Sequence, residues 1–386
     1  MDLIAALDIG SEKTVMAVAE DRGTEKLHLS AIKMIASQGV EKGVVKDKAI
    51  LISYVQHLLH ELDKQKKVSR INVSISGQAL QVSEHKINVP IQRKAVKEND
   101  LIRAELKCRE FMEGRSGELI DIQPVAYYID RETYTAEPLG KTGKSIDVRF
   151  RVYKSDSQYL SELRGIFAEC GLKDVHFFPG TRAYMEALEV TEDTADFALV
   201  DIGASHIGVM LFRKGVAIRE AMLPLGSSVL DKDIMAAYPL KDVRTAKELK
   251  HKKGSAIRNV CRSEKIQIPE INKQIDRKEL ALVIQYRMEE LLEGVVYQLQ
   301  QWKYTDKSDK IYLTGGGSGL ADTAALLSNI SGQNVVMAKA KNVNAEDTAL
   351  LSAPACLDVL GLLSCEHIEP EEEKGGWGSW ISGFFK

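Results

Sequence analysis

Two short turns in this sequence carry the same three residues, Asp-Ile-Gly, each directly after an apolar run. The first is Asp8-Ile9-Gly10-Ser11 and the second is Asp201-Ile202-Gly203-Ala204. A second apolar run follows each turn, so each copy predicts a strand, a tight turn and a returning strand. One copy opens each half of the chain, which indicates two related lobes that face each other.

The residue types of these turns suit phosphate and magnesium. Glycine lets backbone amides approach phosphate oxygens, and a carboxylate at a strand end can hold Mg²⁺ through water. In the first turn the Ser11 hydroxyl adds a donor, and Lys13 adds a compact positive charge for a terminal phosphate. The residues assigned to the phosphates are Gly10, Ser11, Lys13, Gly203 and Ala204, with Asp8 and Asp201 assigned to the nucleotide and to Mg²⁺.

A third glycine-rich segment follows later in the chain. Residues 311–319, IYLTGGGSG, place Gly315, Gly316 and Gly317 after a short apolar strand and before a helical pattern. Such a strand-to-helix junction lets a nucleotide lie flat against the backbone. A single Asp-Ile-Gly turn is more often an ordinary strand end, but two copies followed by three glycines favour a nucleotide site.

The composition limits the classes of protein to which the chain can belong. Its 386 residues exceed what one core usually organises, and 44% hydrophobic with 28% charged residues excludes wholesale disorder. Lys and Arg total 52 against 55 Asp and Glu, so no global basic field predicts a nucleic-acid partner. Five scattered cysteines without metal-binding spacing are typical of reduced cytosolic thiols. No apolar stretch approaches the roughly 18 residues of a membrane span, and the first residues do not resemble a signal peptide.

The order of these motifs resembles a known superfamily. DIGSEKT, LVDIGAS and LTGGGSG are similar to the phosphate-1, phosphate-2 and adenosine motifs of the actin-like ATPases. Within that superfamily the chain resembles the FtsA family of bacterial division proteins, over stretches spread along nearly the whole sequence. They are LDIGSEKT, GVEKGVVKD at 39–47, INVSISG at 71–77, ECGLKDV at 169–175, KHKKGSA at 250–256 and TGGGSGL at 314–320.

The resemblance implies a two-lobed, actin-like (ribonuclease H-like) α/β fold with an inserted α+β subdomain. Strand-like runs at 125–129 and 148–153, and a helical stretch over 97–112 with Asn99 or Asp100 as its cap, supply the material for the insertion. The implied divisions are 1A at 1–81, 156–194 and 349–365; 1C at 82–155; 2A at 195–227 and 304–348; and 2B at 228–303.

The segment expected to form 2B contains a local basic run. Its cations are Arg244, Lys247, Lys250, His251, Lys252, Lys253, Arg258 and Arg262. Composition alone is equally compatible with a solvated helix face. The resemblance implies that the C-terminal tail of the tubulin-like polymer FtsZ docks on 2B and that Lys250 contacts the nucleotide. Glu248 is offset from the family's Glu-x-x-Lys spacing.

The last twenty-one residues combine an acidic spacer with an aromatic stripe. Residues 366–376 are polar and acidic, and the ten residues that follow place five large apolar side chains on one helical face. These are Trp377, Trp380, Ile381, Phe384 and Phe385. Such a stripe favours an interfacial helix in the lipid headgroups, although a terminal helix packed on its own lobe is the alternative. The resemblance implies an amphipathic membrane-targeting helix here.

Two departures from the superfamily pattern predict slow chemistry. The second turn continues Ala204-Ser205-His206 where relatives usually have Gly-Gly-Thr. No Gln or Glu stands in the turn Pro179-Gly180-Thr181, where actin positions its attacking water, and Glu186 falls further along the next helix. Without such a group, in-line attack loses a large positioning contribution. We expect nucleotide binding with very slow hydrolysis and assign no catalytic residue.

The resemblance therefore implies a peripheral protein of the cytoplasmic face of the bacterial membrane, at the division site. Its cofactors would be ATP and Mg²⁺. Its partners would be the FtsZ tail, further copies of itself, membrane lipids and, through 1C, later division proteins. The alternatives are a pilus-assembly type of actin-like adaptor, which would not be expected to end in an aromatic stripe, and an actin-fold phosphotransferase, which should carry a catalytic Asp.

The composition of the tail predicts how lipid binding depends on salt. Apart from Lys374 and Lys386 the last thirteen residues carry no cation, so apolar insertion should outweigh attraction to anionic lipid. Binding of the full chain to anionic vesicles should fall by less than about threefold between low and moderate salt, since each cation near the surface contributes about 1 kcal/mol. Loss of most binding in a cosedimentation assay at moderate salt would contradict this.

Overall fold

The computed structural model describes residues 3–20, 28–62, 68–188, 196–214, 216–341 and 354–366. Two five-stranded sheets form the centres of two lobes, and a four-stranded sheet forms an inserted subdomain. The strands are β1 (Leu3–Ile9), β2 (Lys13–Glu20), β3 (His28–Ala36), β4 (Val40–Glu41), β5 (Val44–Val45), β6 (Val68–Ile75), β7 (Gln81–Pro90), β8 (Glu118–Ile129), β9 (Thr133–Thr135), β10 (Ser145–Ser155), β11 (Asp174–Pro179), β12 (Asp196–Ile202), β13 (Ile207–Arg213), β14 (Val216–Leu223), β15 (Lys265–Ile268), β16 (Lys273–Asp276), β17 (Lys310–Thr314) and β18 (Asn334–Met337). The α-helices are α1 (Lys48–Leu62), α2 (Glu98–Met112), α3 (Ser157–Glu169), α4 (Gly180–Ala187), α5 (Val229–Ala237), α6 (Val243–Lys253), α7 (Arg277–Gln301), α8 (Thr323–Ser331) and α9 (Leu357–Leu362).

The first lobe is a sheet in the order β11-β6-β1-β2-β3 with helices on both faces. Strand β1 pairs antiparallel with β2 and parallel with β6. Successive side chains of a strand point to opposite faces, so Ala5 and Leu7 pack with α1 and α3 while Ile4 and Ala6 pack with α4 and α9. This double coverage explains why β1 is apolar without alternation.

The inserted subdomain lies in the chain between β6 and α3. Its antiparallel sheet has the order β7-β10-β8-β9, and α2 packs against it over a separate hydrophobic core. The expected strands at 125–129 and 148–153 lie within β8 and β10. The cap of α2 was expected at Asn99 or Asp100, but it is Lys97. The helix begins earlier because the Asp100 carboxylate accepts a hydrogen bond from the Lys97 amide at 2.9 Å, as an acidic third residue commonly does.

The second lobe repeats the plan of the first, with the sheet order β14-β13-β12-β17-β18. Strand β12 pairs antiparallel with β13 and parallel with β17, as β1 does with β2 and β6. Helix α7 packs on this sheet, and its Met288 and Leu292 share one hydrophobic core with Val200 and Val209. The segment expected as 2B therefore has no core of its own, because α7 joins it to the sheet of 2A.

The C-terminal expectations cannot be placed on this fold. Residues 367–386 lie outside the described part of the chain, and with them the acidic linker after Glu366 and the stripe Trp377, Trp380, Ile381, Phe384 and Phe385. Within the described ranges, no helix combines the length and the apolar character needed to cross a bilayer.

The contact between α4 and α9 leads to a test of the first lobe. A Cβ added at Gly361 would lie 1.8 Å from the Ala183 carbonyl oxygen, so the two helices meet backbone to backbone. Gly361→Ala should lower the free energy of unfolding by about 1–3 kcal/mol, because the helices must separate. Gly165→Ala is the matched control: nothing lies within 4 Å of its Cβ position in α3, so it should raise that free energy by about 0.5–1 kcal/mol. Urea denaturation measures both, and equal effects would contradict the close packing.

Candidate functional site

A cleft between the two lobes contains every residue that the sequence assigned to the nucleotide. It opens to solvent, and the space between its walls, solvent at the mouth included, is about 1350 Å³. The assigned residues that line it are Asp8, Gly10, Ser11, Lys13, Asp201, Gly203, Ala204, Lys250, Gly315, Gly316 and Gly317. The duplicated turns and the later glycines therefore converge from distant parts of the chain.

The two Asp-Ile-Gly turns have the same backbone geometry. The Gly10 amide donates to the Lys13 carbonyl at 3.1 Å, and the Gly203 amide donates to the His206 carbonyl at 3.0 Å. A Cβ at either glycine would lie within 3 Å of that carbonyl oxygen, so both turns require glycine. His206 thus occupies in the second turn the place of Lys13 in the first. Ala204 is absent from the residues with positive φ, so alanine fits there without strain.

The turns also hold the lobes together. The Ser11 hydroxyl donates to the Ser205 hydroxyl at 3.3 Å, and Glu12 forms an ion pair with Lys247 of α6 at 2.7 Å. Both contacts cross from the first lobe to the second. A change of the angle between the lobes must therefore break or lengthen these contacts.

The third glycine-rich segment packs directly on the second turn. Gly315 has a φ of +84°, and a Cβ there would lie 2.1 Å from Oδ1 of Asp201. Glycine is the residue that satisfies both constraints. The glycines continue into a 3₁₀ helix, Gly316–Gly319, and α8 begins only at Thr323. The Lys13 ammonium lies 3.9 Å from the Cβ position of Gly316, so the first and third motifs also meet.

Three aspartates line this cleft, and one of them, Asp358, was missed by sequence reasoning. Burial, reinforced by the charge of Asp201, raises the pKa of Asp8 to about 7. Burial also raises the pKa of Asp201, while His206 and the Tyr184 hydroxyl, which donates to its Oδ2 at 2.9 Å, oppose the rise. Asp358 has its pKa raised well above the usual value by burial, by Asp8 and by Asp201. No motif marks Asp358, which reaches the cleft because α9 packs beside β1.

This donor set fits a hydrated magnesium ion. Carboxylate oxygens suit Mg²⁺, which usually retains several waters when a protein binds it. Among the residues that the structure describes, no group of three or more His, Cys, Asp or Glu side chains converges closely enough to hold a metal ion. Asp8 and Asp201 thus fit the expected contact through water.

Lys250 lies in the cleft wall with its charge already paired. Its ammonium is 2.8 Å from Oδ1 of Asp231 in α5 and donates to the Ser227 carbonyl at 3.4 Å, and both charged side chains are almost fully buried. Glu248 does not line the cleft and instead pairs with Lys252 at 3.0 Å. No sequence pattern marks Asp231, which fixes the position of the Lys250 head group.

A carboxylate does stand beside the connection Pro179-Gly180-Thr181, although none is present in it. The Thr181 hydroxyl donates to Oε1 of Glu220 at 2.8 Å, and Glu220 lines the cleft from β14. Glu186 pairs with Arg182 at 3.1 Å and does not line the cleft. Sequence reasoning missed Glu220 because the second lobe supplies it.

Two family models match this chain at different places. "Cell division protein FtsA" matches residues 198–361, and "SHS2 domain inserted in FTSA" matches residues 77–154, where the inserted sheet lies. The chain belongs to the FtsA family. The FtsA of Pseudomonas aeruginosa is 25% identical over 339 residues, which cover 85% of this chain and 81% of that protein. The FtsA of Bacillus subtilis is 22% identical over 389 residues, covering 97% and 86%.

Solved structures confirm the predicted actin-like fold of this FtsA-family chain. The PilM-PilN type IV pilus biogenesis complex matches with a TM-score of 0.69 at 19% identity, covering 94% of this chain and 97% of that one. MreB5 of Spiroplasma citri bound to ADP matches with a TM-score of 0.54 at 12% identity, covering 94% and 95%.

The raised pKa of Asp8 predicts a pH-dependent gain from removing its charge. Folding raises this pKa from 3.8 to about 7, so ionisation costs the folded state stability as the pH rises through that window. Without nucleotide or divalent cation, Asp8→Asn should therefore melt at a higher temperature than the wild type at pH 8, with the difference shrinking or reversing at pH 5. Glu113→Gln, an exposed change in the inserted subdomain, should leave the melting temperature near wild type at both pH values. If the gain in melting temperature of Asp8→Asn over the wild type grew towards pH 5, the raised pKa of Asp8 would be contradicted.

Proposed function

We propose that this chain is an ATP-binding, actin-like division protein that attaches FtsZ filaments to the inner face of the cytoplasmic membrane. The observation that carries the proposal is the convergence of two glycine turns and a third glycine segment around Asp8, Asp201 and Asp358 in one cleft of an FtsA-family chain. Closure of the lobes on the nucleotide would set the protomer shape that stacks into filaments.

Different residues of the cleft would bind the phosphates and the adenosine of ATP. The amides of the two turns, the Ser11 hydroxyl and Lys13 would hold the phosphates, and the backbone of Gly315–Gly317 would carry the adenosine. Bound Mg²⁺ would neutralise the phosphate charge and that of Asp8 and Asp201. Two MreB5 structures with this fold, one bound to ADP and the other to AMPPNP, support a nucleotide ligand. Turnover would be slow, because both Glu220 oxygens already accept hydrogen bonds from Thr181 and Tyr153.

The FtsZ tail would dock on an exposed part of the basic run. Most of its cations already have acidic partners: Arg244 with Asp242, Lys247 with Glu12, Lys250 with Asp231, Lys252 with Glu248 and Lys253 with Glu264.

Arg258 and Arg262 are exposed and form no ion pair among the described residues, and Val260 between them is 61% exposed. The Arg258 amide donates to Gln285 of α7 at 2.7 Å, next to the exposed Tyr286. We call Arg258, Val260, Arg262 and Tyr286 the docking patch; cations around apolar side chains suit an acidic peptide with apolar anchors.

Membrane attachment would come from the aromatic stripe at 377–386 behind its acidic linker. A stripe with two glycines and fewer than three turns is too short to be stably helical in water, so it would fold on the lipid surface. Self-association would multiply this weak attachment, since each further copy binds as part of one array. The inserted subdomain would contact later division proteins.

A pilus-assembly adaptor is the second candidate. The TM-score of 0.69 to the PilM-PilN complex is higher than the 0.54 to MreB5, and it favours this candidate at the level of fold. The candidate differs in its partner and gives no role to FtsZ.

Recruitment of fluorescent FtsZ to a supported bilayer tests the proposal. With ATP and Mg²⁺ the full chain should bring FtsZ to the bilayer, and a version ending at Gly376 should not. Reversing the charges of Arg258 and Arg262 to Glu should weaken recruitment at least about tenfold, because it opposes an acidic tail. The same reversal at Lys252 and Lys253, which already have acidic partners, is the matched control and should weaken it less.

The outcomes separate the two candidates. If the full chain coats the bilayer while FtsZ stays in solution, the FtsZ role is wrong and the pilus-type adaptor takes its place. If the version ending at Gly376 recruits FtsZ as well as the full chain does, the membrane role of the tail is wrong. Absence of any effect of ATP on either step would contradict the role of lobe closure.

A further inference from the structure

The inserted subdomain is bonded to the second lobe, although its chain emerges from the first. The Arg151 side chain of β10 is 4% exposed, and its guanidinium donates to the backbone carbonyls of Ala217 at 2.7 Å and Ile218 at 3.1 Å. Both carbonyls belong to β14, the edge strand of the second lobe. Glu84 of β7 accepts from the same guanidinium at 2.8 Å, so the buried charge is paired.

One carboxylate of the cleft joins three parts of the molecule. Oε2 of Glu220 accepts from the hydroxyl of Tyr153 in β10 at 2.9 Å, and Oε1 accepts from the hydroxyl of Thr181 in α4 at 2.8 Å. Tyr153 lies on β10 of the inserted sheet and is fully buried against the core of the first lobe, α4 belongs to the first lobe, and Glu220 belongs to the second. Glu220 and Thr181 both line the cleft. We call Arg151, Tyr153, Thr181 and Glu220 the junction.

The inserted subdomain also touches both lobes next to the junction. Its strand β8 packs against β11, the first-lobe strand that leads into α4, and against β14 of the second lobe. These two strands belong to different lobes, so a change of the angle between the lobes must move one of these contacts relative to the other.

We infer that the junction couples the cleft to the inserted subdomain, so that the subdomain changes its position relative to the second lobe when the lobes close on a ligand. The inference rests on the proposed binding of nucleotide in the cleft. Charged hydrogen bonds are directional. When the second lobe moves, the Glu220 carboxylate cannot keep its hydrogen bonds to both hydroxyl donors. The two hydrogen bonds therefore break or re-form together. A contact that switches as a unit can pass a change of shape in the cleft to the inserted subdomain. The partner surface of the inserted subdomain is therefore set by the occupancy of the cleft.

A distance measurement between spin labels tests this coupling. Glu113 of the inserted subdomain and Glu293 of α7 are exposed and can be changed to Cys in a Cys170→Ser background, the other native thiols being buried. The full-length, doubly labelled protein should show a different distance distribution with saturating AMPPNP and Mg²⁺ than without them. Glu220→Gln and Thr181→Val should each reduce that difference by at least half, each variant being measured at its own saturating nucleotide concentration.

Matched variants separate coupling from general loosening. Arg164→Gln removes a paired contact between α3 and Glu118 of β8, which joins the same insertion to the first lobe outside the cleft. It should keep the full nucleotide-dependent change. The double variant Glu220→Gln with Thr181→Val should lose no more than the stronger single variant, because both remove one interaction. A full-sized distance change in Glu220→Gln would overturn the inference.

The remaining outcomes distinguish failure of the coupling from failure of the proposed function. If the wild type binds AMPPNP in a calorimetric titration but its distance distribution does not change, the coupling is wrong and nucleotide binding stands. If the wild type binds no nucleotide, the proposed function fails. Hydrogen exchange of the unliganded protein then tests whether the junction links the three parts of the molecule. Glu220→Gln should then speed exchange in β10 and α4 as well as in β14, and faster exchange confined to β14 would refute the junction.

Discussion

Burial of Asp8, Asp201 and Asp358 together in one cleft is the constraint on which the rest of the structure depends. The first hairpin, the second hairpin and helix α9 each bring one of these carboxylates to the cleft. Burial raises the pKa of all three, and the charge of Asp201 adds to the rise at Asp8 and at Asp358. Such an arrangement costs stability until a cation or a proton reduces the charge. The fold holds Asp8 and Asp201 there because their strands are buried on both faces, and it holds Asp358 there because α9 packs beside β1.

The glycine turns make this arrangement compatible with a phosphate ligand. Gly10 and Gly203 each close a turn on the carbonyl three residues later, and Gly315 lies against Asp201 where any side chain would collide. The backbone therefore presents amides beside the carboxylates without side chains between them. A phosphate held by those amides and a hydrated cation held by the carboxylates would complete each other electrostatically.

The inserted subdomain is hydrogen-bonded to the wall of this cleft. Contacts of Arg151 and Tyr153 with β14 cross from an insertion of the first lobe to the second lobe, and the Glu220 that receives Tyr153 is itself part of the cleft wall. The same buried polar groups therefore belong to the cleft wall and to the contact with the insertion, so a change of the lobe angle must disturb both.

The sequence by itself determined the local parts: the two hairpin turns with their glycines, the third glycine segment, two strands of the insertion and the basic run, because each is a pattern of neighbouring residues. The cap of α2 was misplaced because Asp100 lies inside the helix, where its carboxylate accepts a hydrogen bond from the Lys97 amide. Only the tertiary structure decided which distant groups meet: Asp358 with Asp8, Asp231 with Lys250, Glu12 with Lys247, and Glu220 with Thr181 and Tyr153. These pairs have no local signature, since packing of helices and strands far apart in the chain sets their distances, and charge pairing follows distance rather than sequence.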